Sequence, residues 1–184
     1  LNACRIWGVG TLLACGLAVA GCSTVQTILP SRQSRVRNEG YSLLYKLLSQ
    51  ESDAAKILII KHADSPIVDV IKEVSTTAGQ AQNQLDLFRK KDRRLNFKME
   101  NLPQIEQQTR AAIESTETKQ LLFSSGKTFE ARFLFTQAQA MNYAAHLAKV
   151  LHDQEDNPDR KKFLATLAER CTALHDRVMK LLRY

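Results

Sequence analysis

Turn-forming residues are scarce in this chain. Seven Gly and four Pro in 184 residues are too few for the many tight reversals of a sandwich or barrel. No segment alternates apolar and polar residues for long, which excludes an all-β fold. Aromatic residues make up only 7% of the chain, and the one tryptophan, Trp7, lies in the first segment. The others, such as Tyr41, Tyr45, Phe129, Phe133, Phe135, Tyr143 and Phe163, mostly fall at helical spacing and read as core rather than as a stacking platform for bases. There are four cysteines, and Cys4, Cys15 and Cys22 all precede residue 23. Cys171 is left alone on an apolar helix face, a small hydrophobe without a disulfide partner in the main body. Motifs that carry chemistry are missing as well. The chain has no H-E-x-x-H, C-x-x-C, glycine-rich phosphate loop, G-x-S-x-G or E-x-x-H. The sequence therefore reads as non-enzymatic, with no cofactor expected.

What is present is a helix-tolerant mixture of Leu, Ala, Gln, Lys and Arg, with 44% hydrophobic and 24% charged residues. The formal charge is +7, and Arg5 is the only charged residue among the first 21, which leaves +6 on the remainder.

Residues 1–22 read LNACRIWGVGTLLACGLAVAGC. A single positive charge precedes an uncharged apolar stretch from Ile6 to Ala20, and small residues follow. That is the pattern of a secretory signal; a membrane span needs about 20 apolar residues. The segment from Leu17 to Cys22 resembles the lipobox of bacterial lipoproteins: an aliphatic residue, small residues, then cysteine. The resemblance implies transfer of a diacylglyceryl group to the Cys22 sulfur, cleavage between Gly21 and Cys22, and acylation, palmitate included, of the new amino group. Ser23, rather than Asp, follows the lipid site and resembles an outer-membrane address on the periplasmic side. The chain thus divides into a lipoprotein signal peptide over 1–21, a lipidated tether over 22–38 and a helical bundle domain over 39–184.

Within that domain five segments show helical periodicity. The first, 39–62, aligns Leu44, Leu48, Ala55, Leu58 and Ile59, and Asp64-Ser65-Pro66 ends it, with Ser65 as the expected N-cap of the second. The second repeats Ile67, Val70, Ile71, Val74, Ala78, Ala81, Leu85 and Phe88. The third opens at Pro103, carries Ile105, Thr109, Ala112 and Ile113, and weakens at Ser124-Ser125-Gly126. The fourth runs from Phe129 to Leu151, and Asn157-Pro158 starts the fifth, with Leu164, Leu167, Ala168, Cys171, Leu174 and Val178. The fold class that follows is all-α, an antiparallel bundle of four long helices and one shorter one.

Arg89 to Arg94 form a basic run between the second and third segments, read as a solvated loop. In a chain headed for the envelope, its functional partner would be an anionic membrane surface or polymer, not nucleic acid. Glu51, Glu130 and His175 fall on apolar stripes and are the weak candidates for a carboxylate–histidine metal site; Arg132, Arg170 or Arg177 could instead pair the carboxylates. His152 and Glu155 lie in H-D-Q-E-D-N-P, which looks solvent-facing. The expected partners are membrane lipid through Cys22 and an envelope protein or anionic polymer.

The stretches from Gln50 to Val74, Ser125 to Met141 and Leu167 to His175 together resemble the ferritin-like four-helix domains of unknown function found in bacterial periplasmic and outer-membrane proteins. Glu130 and His175 match positions of that pattern. The pattern's second helix carries Asp-His, where this chain has Ser75-Thr76-Thr77-Ala78-Gly79, so a metal site implied by the resemblance would lack a ligand. The resemblance bears on fold rather than activity, with a ferritin-like metal-binding or stress-related protein as the alternative function.

Overall fold

The computed structural model describes residues 32–183, and the proposed signal, with Gly21 and Cys22, lies outside them. Five α-helices follow in order: α1 (Arg32–Ser52), α2 (Ser65–Lys91), α3 (Gln104–Phe123), α4 (Gly126–Gln154) and α5 (Pro158–Leu181), with no strand among the described residues. Short 3-10 turns, Ala54–Ile59 and Met99–Asn101, precede α2 and α3. The expected all-α bundle is what forms.

Cross-helix contacts fix the topology. Tyr45 on α1 meets Asp86 near the end of α2, while Glu51 at the end of α1 meets Ser75 early in α2, so the two are antiparallel. On α2 and α5, Glu73 meets Arg177 and Gln80 meets Arg170, again antiparallel. The start of α1 meets the end of α4 through Tyr41 and Glu155. The four core helices are thus two antiparallel hairpins, α1–α2 and α4–α5, with α2 and α4 running the same way. The connection between those two must travel the length of the bundle, and α3 is that crossover.

The apolar stripes of α2, α4 and α5 supply the core as their periodicity requires. All eight stripe residues of α2 are buried, and they stack in two clusters with Tyr41, Leu44, Leu48, Phe129, Phe133, Met141, Leu164 and Leu174 among the others. Asn157 caps α5 as expected, its side chain accepting from the Arg160 N–H at 3.0 Å.

Several expectations are corrected. Helix α1 begins at Arg32, inside the span assigned to the tether, because Arg37 and Asn38 find partners: Arg37 pairs with Asp156, and Asn38 donates to the Arg94 carbonyl at 3.0 Å. The first segment does not stay helical to residue 62. Ser75 Oγ accepts from the Ala55 N–H and donates to the Glu51 carbonyl, satisfying the backbone where α1 stops. The chain then turns, leaving Ile59 82% exposed. The N-cap of α2 is Asp64, one residue before the expected Ser65. None of the twenty residues of α3 is buried, because the crossover lies outside the four-helix core; Ile105 and Ile113 of its stripe face solvent. The basic run is not all loop, since Arg89–Lys91 complete the last turn of α2. Beyond it the chain packs inward, burying Leu95, Phe97 and Leu102. Phe97 stacks on Tyr45 at 5.2 Å, and the Arg89 guanidinium lies over both rings.

On α1, Gly40 lies against the Leu151 side chain of α4. A Cβ there would sit 2.7 Å from Leu151 Cδ2, closer than van der Waals contact allows. The missing side chain at Gly40 is what leaves room for Leu151.

Candidate functional site

The densest polar constellation joins the start of α1, the end of α2 and the α4–α5 turn. Glu155 is four residues beyond Leu151 on the buried face of α4, and Arg160 is four before Leu164 on that of α5, so the core stripes carry both inward. The Glu155 side chain is fully buried and saturated with donors. Oε1 accepts from Arg160 Nη2 at 2.8 Å and from the backbone N–H groups of Asp156 and Asn157 at 2.9 and 3.0 Å; Oε2 accepts from the Tyr41 hydroxyl at 2.6 Å. Arg160 Nη1 reaches on to Asp92 at 3.0 Å, and Asp92 also holds Arg94.

The electrostatics follow from that wiring. Burial alone would raise the Glu155 carboxyl, but the hydrogen bonds from Arg160, Tyr41 and the turn outweigh it and hold it down at about 2. The Arg94 hydrogen bond dominates at Asp92 and keeps it well below the ordinary carboxylate range. The Tyr41 hydroxyl is pushed up, first by burial and then by its bond to Glu155. A carboxylate held ionised at neutral pH with its lone pairs occupied is a poor general base. The arrangement is a clamp that ties the start of α1, the end of α2 and the α4–α5 turn together.

The sequence-stripe candidates for a metal are each engaged elsewhere. Glu130, 7% exposed, accepts the Asp64 backbone N–H at 2.8 Å and pairs with Lys127 at 2.9 Å, fixing the start of α2. His175 lies beside Asp176 on a half-exposed face of α5. Glu51, 9% exposed, faces the core, where the nearby Gln137 side chain favours its ionised form. The arginines considered as partners go to other groups: Arg132 to Gln120, Arg170 to Gln80 and Arg177 to Glu73. Among the described residues no group of three or more His, Cys, Asp or Glu could hold a metal ion.

Glu51 is nonetheless unusual. Burial pushes its carboxyl up to about 7, against the lowering effect of Gln137. Glu51 Oε2 and Gln137 Oε1 are both buried acceptors with no hydrogen-bond partner among the described residues. Cys171 on α5 is buried too, and burial together with the Glu51 charge pushes its thiol up to about 12.

Shallow depressions lie on the surface of the described residues, two of them beside the polar groups above. One, about 290 Å³, lies between α2 and α5 and includes Glu73, Gln80, Arg170 and Arg177. The other, about 340 Å³, is at the clamp and includes Arg37, Arg94, Asn157 and Arg160. Sequence reasoning missed the clamp by taking Glu155 as solvent-facing, and the correction has a plain cause. Extending the stripes one step past Leu151 and one before Leu164 would have placed Glu155 and Arg160 inside. Comparison of the chain with known protein families, curated proteins and solved structures finds no match.

Proposed function

We propose that this protein is lipid-anchored in the bacterial cell envelope through Cys22, and that its helical bundle has a non-enzymatic structural or interaction role there. The observation that carries the reading is the segment from Leu17 to Cys22, an apolar run ending in small residues and a cysteine. Several acyl chains on one residue give durable attachment. Among the described residues no helix is long and apolar enough to cross a membrane, so on this reading the acyl chains do the anchoring. Ser23 supports the outer membrane as the destination. The non-catalytic role draws support from the buried polar groups at the clamp, which bind one another.

Growth with an alkyne-tagged palmitate tests the anchor. The expected result is a labelled protein that stays with the membrane pellet through a high-salt wash, with label and retention both lost in Cys22→Ala. Equal retention of an unlabelled wild type and the variant would contradict it.

A second reading, a ferritin-like metal-binding or stress-related protein, is favoured by one observation. A bundle of two hairpins joined by a single crossover has the connectivity of ferritin-like folds, although a fold by itself assigns no activity. That reading requires stoichiometric iron, zinc or manganese in the purified protein, lost in Glu130→Ala; metal-free protein counts against it.

A further inference from the structure

The net charge of the described residues gathers at one end of the bundle. Residues 32–40, 88–101 and 149–162 meet there, and they hold 13 Lys and Arg against 7 Asp and Glu, whereas the other described residues hold 12 of each. Arg37 and Arg160 are engaged with Glu155 and its neighbours. Arg32, Arg35, Lys90, Lys91, Arg93 and Lys98 are exposed at this end. It is also the end from which α1 starts. Nine residues lie between Cys22 and Arg32, and covalent geometry limits the ten Cα–Cα steps from one to the other to about 36 Å.

We propose that this basic end is a docking surface for the anionic phospholipid bilayer in which the acyl chains sit. The inference rests on the lipid-anchor reading and adds to it an orientation and a lipid preference. Phosphate headgroups supply the complementary charge, and the attraction acts within about 10 Å at 0.1 M salt. The short span from the anchor keeps the basic end near the headgroups, which raises its effective concentration over that of any free polymer. The opposite end, where Ile59, Ile60, Leu122 and Phe123 are exposed, then points away from the membrane.

The test uses the purified, acylated lipoprotein in phosphatidylcholine vesicles with and without phosphatidylglycerol. A spin label is placed at Gln33→Cys on the basic end or at Thr128→Cys on the other. Cys171 is buried and its thiol stays protonated, so the introduced cysteine takes the label. Phosphatidylglycerol should cut the access of aqueous nickel to the Gln33 label at least twofold, and 0.5 M salt should restore it. The Thr128 label should not respond. The triple change Lys90→Glu, Lys91→Glu, Arg93→Glu should abolish the effect, whereas Lys72→Glu, Lys119→Glu, Lys180→Glu should leave it intact.

Equal access in both vesicles, or equal loss in both triple variants, overturns the docking surface. So does a label that responds to added soluble polyphosphate but not to vesicles, which would assign the patch to an anionic polymer. The intact mass of the same sample separates the two claims: missing acyl chains overturn the anchor and the docking surface together, and a flat response from an acylated sample overturns the docking surface alone.

Discussion

Glu51 occupies the last turn of α1 with its side chain in the core, and its carboxyl titrates near 7 because burial disfavours the charge. In the unfolded chain the same group titrates near 4.5. A raised carboxyl is neutral in both states below the unfolded value, so it costs nothing there. Between pH 4.5 and 7 the unfolded chain ionises first, and native stability falls; above 7 the loss is complete. The difference of roughly two and a half pH units corresponds to about 3 kcal/mol, at 1.36 kcal/mol per unit. A proton on Glu51 also gives the pair a donor for the two unpartnered acceptors, Glu51 Oε2 and Gln137 Oε1. Glu51→Gln supplies such a donor permanently in the same volume. The wild type should therefore lose about 3 kcal/mol between pH 4.5 and 8, a fall of about 6–12 °C in melting temperature for a domain of this size. The Glu51→Gln variant should lose none of it, and should be the more stable protein at pH 8. Urea and thermal unfolding followed by helical circular dichroism at several pH values measure both. A wild type whose stability is flat from pH 5 to 8, or a variant destabilised equally at both ends, would refute the reasoning.

The clamp has the opposite pH sign. Glu155 is held at about 2 in the folded protein, so its contribution is present above pH 4.5 and lost as pH falls towards 2. Glu155→Ala should cost about 3–5 kcal/mol at neutral pH, because it strands a buried guanidinium, and acid titration of the variant should lack that part of the wild-type acid limb. Gly40→Ala should destabilise by about 1–2 kcal/mol, the overpacking against Leu151 exceeding the gain in helix propensity. Adding Leu151→Ala to it in a double-mutant cycle should show favourable coupling, and strict additivity would mean the helices are not in contact at Gly40.

Legibility in the sequence varied with how much each element depends on its own residues. Helix α2 could be read almost residue by residue, since its stripe from Ile67 to Phe88 faces one continuous core. Helix α3 has the same kind of periodicity around Ile105 and Ile113 yet stays outside, because two hairpins already fill the bundle. Local pattern cannot report that. The end of α1 was likewise out of reach: Ser75, far along the chain, terminates it by taking over the Glu51 and Ala55 backbone groups. The clamp was partly visible, since Asn157-Pro158 marked the start of α5. Its members nevertheless come from residues 41, 92, 155 and 160, which only the tertiary fold brings together. Glu51 stands out in the sequence as a polar residue on an apolar stripe, and its side chain is buried. The polar residue that acts on its carboxyl is Gln137, on the facing stripe of α4, which the sequence pattern did not pair with it.

Whether Cys22 carries the anchor can be read from the mass of the N-terminal peptide of the protein isolated from its own membranes. The expected peptide begins at Cys22, with diacylglyceryl on the sulfur and an acyl chain on the amino group. A free Cys22 thiol, or a chain that begins elsewhere, would contradict it.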